Sequence, residues 1–125
     1  VVGKFSGIKR YMQVCEKEAL SNDNWITTPF GRRIWVDPDH SYKALNAKVQ
    51  GFAGDIFKQT MVNLANAGLV DYMVCPIHDE VLFSVPEEDL EEVSHTIAEV
   101  MPYHDLAVAV PADPSPGVKD WSQAK

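Results

Sequence analysis

The chain has 125 residues, 46% of them hydrophobic and 23% charged, which is typical of a globular domain with one core rather than a disordered segment. No apolar run approaches the ~18 residues that a membrane-spanning helix requires, and the first residues lack the pattern of a signal peptide. The net charge of −7 argues against a free-standing nucleic-acid binder, because phosphate contacts require basic side chains.

The positions of the charged residues and of the two cysteines bear on the kinds of site and the cellular setting that we expect. Residues 1–50 have eight basic and five acidic side chains, a balance of +3, whereas residues 51–125 have three and thirteen, a balance of −10. Cys15 and Cys75 form no C-x-x-C pair, so we expect neither a disulfide framework nor a zinc ribbon, and we expect a reducing cytoplasmic setting. A first residue other than methionine suggests a processed or truncated chain.

Hydrophobic periodicity predicts the elements of the first half of the chain. Apolar residues recur at helical spacing over residues 7–20, and a polar turn follows. Residues 25–28 and 33–36 flank a loop that contains a glycine, which is the pattern of a β-hairpin. The longest helical pattern covers residues 43–67 and ends before a glycine.

The second half of the chain predicts a second hairpin and a further helix. Residues 71–77 and 80–85 are two apolar strand patterns joined by a two-residue turn. An acidic stretch then opens a helix over residues 86–101, and residues 106–110 predict a last short strand. This order predicts an α+β fold in which an antiparallel sheet, made of two hairpins and a terminal strand, is covered by about three helices.

Three ionisable residues, His78, Asp79 and Glu80, stand between the two strands of the second hairpin. A tight turn there places Asp79 at the edge of the sheet, held rigidly and partly buried, where a carboxylate requires a partner cation. Magnesium prefers oxygen ligands, usually one or two carboxylates together with water and phosphate. The pattern by itself is more often a solvated turn, so both interpretations stay open at this point.

The long helix has a polar face beside two glycines. Asn46 and Gln50 are four residues apart and therefore share one face of the helix. Gly51 and Gly54 follow, and each costs roughly 1 kcal/mol relative to alanine inside a helix. The pair indicates that another part of the molecule approaches the helix backbone closely there.

Five short motifs, taken in order, resemble the C-terminal third of family A (polymerase-I-like) DNA polymerases. The helix matches the family's N-x-x-x-Q-G-x-x-x-D pattern, and the second hairpin matches its V-H-D-E turn followed by an apolar strand ending near proline. Upstream segments resemble the family's Y-P-G-(I/V)-x-x-Y-M and T-x-x-G-R-R patterns, and a G-x-x-x-W lies near the end of the chain. The matching residues are 5–12, 28–33, 46–55, 77–86 and 117–121.

The resemblance implies template-directed nucleotidyl transfer with two magnesium ions, in which a primer hydroxyl attacks an incoming deoxynucleoside triphosphate. By this mapping Asp79 is a metal ligand, shared with an aspartate that this chain lacks, and Glu80 is an auxiliary active-site carboxylate. The chain is then an incomplete palm domain, residues 1–125 forming its C-terminal part. Its source is expected to be a bacterium or a phage-infected cell.

The resemblance also implies contacts with primer–template DNA. His78 would lie near the primer terminus. Gln50 and Asn46 would touch the duplex in its minor groove or at the sugar edge, where contacts test base-pair shape more than sequence. Arg32 and Arg33 are expected to bind backbone phosphate, although arginines are also common in exposed hairpins.

The chain departs from the family pattern in two positions and in what it lacks. Tyr42 stands where the family often has arginine, and Pro76 lies inside a strand, where proline indicates an edge. The family's first palm aspartate, its nucleotide-binding fingers helix and its thumb have no counterpart in the sequence. We therefore expect that the chain requires the missing N-terminal part and has no polymerase activity by itself.

Two other functions compete with a polymerase segment. One is a non-catalytic module, derived from a polymerase palm, that binds protein or DNA. The other is an unrelated acidic α+β domain in which the His-Asp-Glu turn is solvated.

Overall fold

We describe the fold from a computed structural model, in which residues 5–115 are described. The predicted G-x-x-x-W motif at residues 117–121 lies outside them. The helices and strands, in chain order, are α1 (Ser6–Ser21), β1 (Trp25–Thr27), β2 (Arg33–Trp35), α2 (Ala44–Asn66), β3 (Met73–Ile77), β4 (Glu80–Phe83) and α3 (Leu90–Val100). Short 3-10 helices occupy Pro38–Lys43, Val70–Tyr72 and Glu87–Asp89. No helix within residues 5–115 is long and apolar enough to cross a membrane.

The chain divides into two compact units, one ending at Asp55 and the other beginning at Ile56, so the division falls within α2. Within residues 5–115 the strands form two separate two-stranded antiparallel sheets, β1–β2 in the first unit and β3–β4 in the second. The predicted α+β class with about three helices is confirmed. The prediction of one sheet is wrong, because each hairpin pairs only with itself.

The core of the first unit forms where one face of α1 meets the first hairpin. Cys15 and Ala19 are four residues apart on α1, so both side chains face the same way and both are fully buried. They pack with Ile26 of β1 and with two further residues, Val36 and Ala44. Burial of Cys15 raises the pKa of its thiol, although Lys48 nearby acts in the opposite direction.

Glu18 of α1 links this helix to two other elements of the first unit. One carboxylate oxygen accepts a hydrogen bond from the backbone N–H of Thr27 at 3.0 Å, and the other accepts one from Lys48 Nζ at 2.7 Å. Burial by itself would raise the pKa of Glu18, but the hydrogen bonds from Lys48 and Thr27 outweigh it, so the pKa is lowered. These bonds connect α1 to β1 and to the start of α2.

The first hairpin packs against α2 at a glycine. A Cβ atom added to Gly51 would overlap Ile34 Cδ1, and it would lie 3.2 Å from Arg32 Nη2, which is tighter than most contacts of a Cβ atom. At Gly54 the nearest such atom, also Arg32 Nη2, would be 3.8 Å away, an ordinary contact. The sequence-based expectation of a close approach at this glycine pair is confirmed for Gly51, and the approaching group is the hairpin.

The second unit has its own core, in which Val93 and Ile97 of α3 pack with Leu64 of α2 and with Leu69. Strands β3 and β4 pair from Ile77 opposite Glu80 to Met73 opposite Phe83, with an irregularity between Met73 and Cys75. Both strands are edges of a two-stranded sheet, which agrees with the prediction made from Pro76.

The predicted strand over residues 106–110 is absent from the described structure. Tyr103 and Val110 exchange two backbone hydrogen bonds of 3.0 and 2.9 Å, but this is an isolated bridge. Alternating apolar residues form a strand only when a neighbouring strand pairs with them, and no described strand lies beside residues 106–109.

The lowered pKa of Glu18 predicts a pH dependence of stability. A carboxylate with a lowered pKa in the folded state stabilises the fold above its unfolded pKa, and this contribution is lost as the pH falls through the folded value. We expect Glu18→Gln to lower the free energy of unfolding at pH 7 and to flatten its decline below pH 4.5, the ordinary value for this group. Urea titrations followed by the fluorescence of Trp25 and Trp35, in a Trp121→Phe background, measure both effects.

Asp105→Asn, which changes an exposed aspartate outside the helices and strands, is the control for that experiment. Its pH profile should follow that of the parent chain. An unchanged decline in Glu18→Gln would show that the bonds from Thr27 and Lys48 do not stabilise the charged carboxylate.

Alanine substitutions at the two glycines of α2 should have opposite effects on stability. Gly51→Ala forces Ile34 and Arg32 to move, and overpacking of this kind costs about 1–3 kcal/mol. Gly54→Ala meets no close atom and gains helix propensity, worth up to ~1 kcal/mol. The same urea titrations measure both variants, and a stabilised Gly51→Ala would contradict the close packing of the hairpin on α2.

Candidate functional site

The turn of the second hairpin places three predicted site residues together. Ile77 and Glu80 are the last paired residues of β3 and β4, so His78 and Asp79 form the two-residue turn between them. His78 has a φ of 57°, a left-handed conformation that only a few per cent of residues other than glycine adopt. Backbone strain of this kind occurs preferentially at functional sites.

The side chains of His78, Asp79 and Glu80 are all exposed, which corrects the expectation that Asp79 is partly buried. The reason is the size of the sheet: a two-stranded hairpin has no neighbouring strand to cover the residues at its tip. In the second unit, the carboxylates of Asp79 and Glu80 are therefore accessible to water and to ligands.

Two adjacent carboxylates fit part of a magnesium site. They supply the oxygen atoms that Mg²⁺ prefers, and this ion commonly uses one or two protein carboxylates and completes its shell with water and phosphate. Within residues 5–115, however, no group of three or more His, Cys, Asp and Glu side chains is arranged to hold a metal ion. Asp79 and Glu80 by themselves offer two carboxylate ligands.

Asn46 and Gln50 lie on α2 in the first unit, and both side chains are exposed. Neither makes a hydrogen bond with another described residue, so their amide groups are available to a ligand. Tyr42, which precedes Asn46 by one helical turn, is also exposed, and Lys43 Nζ lies 5.7 Å from the centre of its ring.

A cluster of polar contacts, which we call the Asp55 cluster, joins the first hairpin to α2; it consists of Thr28, Arg32, Gly51 and Asp55. Asp55 Oδ2 accepts a hydrogen bond from Thr28 Oγ1 at 2.7 Å, and Asp55 Oδ1 pairs with Arg32 Nε at 2.7 Å. Arg32 Nη2 donates to the carbonyl oxygen of Gly51, the residue after Gln50. Thr28 and Asp55 are buried, with 3% and 8% of their surface exposed.

The two arginines predicted to bind DNA have different surroundings. The guanidinium of Arg32 is engaged in the Asp55 cluster, although 42% of its side chain is exposed. The guanidinium of Arg33 lies over the ring of Trp25, with Cζ 4.7 Å from the centroid, and its side chain is exposed. Contact of either arginine with DNA stays a prediction.

Sequence reasoning placed Asp55 within a motif but gave neither Asp55 nor Thr28 a role. Both residue types are usually exposed, so nothing in their identity indicates burial. The available signal was the spacing: Asp55 follows Gly51 by four residues, one turn along the same face of a helix, beside the glycine that admits the hairpin.

The family model described as DNA polymerase family A matches residues 2–123 of the chain. Among curated proteins, the DNA polymerase of Mycobacterium phage D29 is 33% identical over 117 residues, which are 94% of this chain and 19% of that protein. DNA polymerase I of Bacillus subtilis is 31% identical over 121 residues, covering 86% of this chain and 14% of that protein. The chain thus spans about a fifth or less of the length of these relatives.

Among solved structures, the chain is similar to the POL domain of Pol1 from M. smegmatis, determined in complex with DNA primer-template and dNTP. The TM-score is 0.68 and the identity is 30%, over 80% of this chain and 20% of that one. This similarity confirms the predicted α+β fold.

The left-handed conformation of His78 predicts a difference between two substitutions. His78→Gly and His78→Ala both remove the imidazole, but only glycine adopts a positive φ without steric cost. We expect the glycine variant to be more stable than the alanine variant by about 1 kcal/mol, the scale of the left-handed penalty. Thermal unfolding followed by circular dichroism measures the difference, and equal stabilities would show that the turn does not hold this conformation in solution.

Proposed function

The chain belongs to DNA polymerase family A, and from this premise we propose that it provides part of the active site for template-directed DNA synthesis. The observation that supports the proposal most strongly is the exposed His78-Asp79-Glu80 turn, which presents two carboxylates at the tip of a short hairpin. The reaction joins a primer 3′-hydroxyl to the α-phosphate of a deoxynucleoside triphosphate and releases pyrophosphate.

Asp79 and Glu80 are the residues of this chain that would hold magnesium. When bound, Mg²⁺ would lower the pKa of the attacking hydroxyl and neutralise charge that develops on the phosphate. Asp79 would act as a direct ligand and Glu80 as an auxiliary carboxylate, and a further aspartate from outside this chain would share the ions. The exposure of both side chains is compatible with metal binding, since a metal ion must reach them from solvent.

Four residues of this chain would contact DNA. Gln50 and Asn46 have exposed amides that can donate to and accept from base edges in the minor groove, which tests base-pair shape. His78 would lie near the primer terminus, and Arg33, with its exposed guanidinium, would bind backbone phosphate.

The partners implied by this proposal are primer–template DNA, deoxynucleoside triphosphates and the rest of a polymerase. Most groups that bind the triphosphate would come from the remaining part of the polymerase, because the chain matches about a fifth or less of its relatives' length. Since these relatives are bacterial and phage polymerases, we propose the cytoplasm of a bacterium or of a phage-infected cell as the place of action.

Primer extension by an assembled polymerase tests the proposal. We define the assembled polymerase as the M. smegmatis POL domain in which this chain replaces the matching segment. With Mg²⁺, primer–template and four nucleotides it should extend the primer, whereas the 125-residue chain by itself should not. Asp79→Asn should lower the rate at least ~100-fold, the scale on which one preorganised electrostatic group contributes.

Asp71→Asn is the matched control, because it removes an exposed carboxylate just before β3, away from the turn. It should leave the rate unchanged, and fluorescence anisotropy should show that Asp79→Asn still binds primer–template. An assembled polymerase that folds and binds DNA but extends no primer would support the non-catalytic binding module instead.

A further inference from the structure

We propose that Thr28, Arg32 and Asp55 are positioning residues that hold the turn of α2 bearing Gln50 in the orientation needed to contact the primer–template duplex. The inference rests on the proposed function, which assigns the DNA contact to Gln50. It adds a role for two buried residues that touch no DNA themselves.

Both oxygens of the buried Asp55 carboxylate have polar partners. Each of its oxygens has its own partner at 2.7 Å, Thr28 Oγ1 for one and Arg32 Nε for the other. A carboxylate that is 8% exposed is costly to bury unless it is paired in this way, so the two partners fix its position. Asp55 in turn fixes the guanidinium plane of Arg32, because the fork of donors is rigid.

The guanidinium of Arg32 also contacts the backbone of α2. Arg32 Nη2 donates to the carbonyl oxygen of Gly51, the backbone group that directly follows Gln50. The lack of a side chain at Gly51 permits this approach, since a Cβ there would lie 3.2 Å from the same nitrogen. The buried carboxylate is thereby connected, through one side chain, to the backbone beside the exposed amide.

The burial of Thr28 and Asp55 excludes direct contact of their side chains with DNA. Thr28 and Asp55 are 3% and 8% exposed, so neither side chain can reach a duplex on the surface. Gln50 is exposed and has no described hydrogen-bond partner that would orient it otherwise. Any effect of Thr28 on DNA must therefore pass through the Asp55 cluster.

The test uses two substitutions at Thr28 in the assembled polymerase. Thr28→Val removes the hydroxyl at nearly constant volume, and Thr28→Ser retains it. We expect Thr28→Val to lower kcat/KM for correct nucleotide incorporation roughly tenfold, within the ~100-fold that a misplacement of ~1 Å can cost. Thr28→Ser should restore most of the loss, and equal activities of the two variants would overturn the proposal.

A second readout distinguishes positioning from general destabilisation. If the Asp55 cluster acts through Gln50, Thr28→Val should have little further effect on kcat/KM in a Gln50→Ala background. Losses that multiply in the double variant would mean that Thr28 acts independently of Gln50, and the proposal would be wrong.

The salt dependence of DNA binding separates the two possible roles of Arg32. A phosphate contact contributes about one unit to the slope of log K against log salt concentration. We expect Arg32→Gln to weaken binding without changing this slope, as for Thr28→Val. A slope reduced by about one in Arg32→Gln alone would identify Arg32 as a phosphate ligand and contradict its positioning role.

Hydrogen exchange on the 125-residue chain distinguishes failure of this inference from failure of the proposed function. Thr28→Val, and not Thr28→Ser, should accelerate amide exchange around Gly51 in the chain itself, whatever the enzyme does. Exchange could be accelerated in Thr28→Val while the assembled polymerase folds but extends no primer. That result would overturn the proposed function and the DNA role inferred from it. Unchanged exchange with an active polymerase would overturn the inference only.

Discussion

The pairing of the buried Asp55 carboxylate with Thr28 and Arg32 is the interaction on which the first unit depends most. It joins the loop between β1 and β2 to the middle of the long helix α2, two segments far apart in the chain. Removal of any one partner leaves a buried group unsatisfied, which costs about 1–3 kcal/mol for a hydroxyl and more for a charge. The missing side chain at Gly51 is a consequence of the same constraint, because the guanidinium and the hairpin occupy the space that a Cβ would need.

In the second unit, Asp79 and Glu80 are exposed, whereas Asp55 of the first unit is buried. Asp79 and Glu80 stay in water at the tip of a two-stranded hairpin, without a described partner, while the strands behind them pack on a separate apolar core. An exposed pair of carboxylates retains full access to cations and phosphates from solvent. The same chain thus uses one aspartate to hold its architecture and, in the proposed function, another to bind metal.

Much of this was predictable from the sequence, and the misses have identifiable physical causes. The helices and both hairpins follow from apolar periodicity and glycine positions, and the family follows from five ordered motifs. The strand over residues 106–110 was wrongly predicted because pairing, and not alternation, makes a strand. The exposure of Asp79 was missed because local pattern does not reveal how many strands a sheet has. The burial of Thr28 and Asp55 was missed because it arises from a tertiary contact between distant segments.

The central claim is that this chain contributes Asp79 to the metal site of a polymerase. A crystal structure of the assembled polymerase with primer–template, an incoming nucleotide and Mg²⁺ tests it most directly. We expect an Asp79 carboxylate oxygen about 2.0–2.1 Å from a magnesium ion, the usual coordination distance for this metal. If both ions were held entirely by other residues, with Asp79 turned to solvent, the proposed role of Asp79 would be wrong.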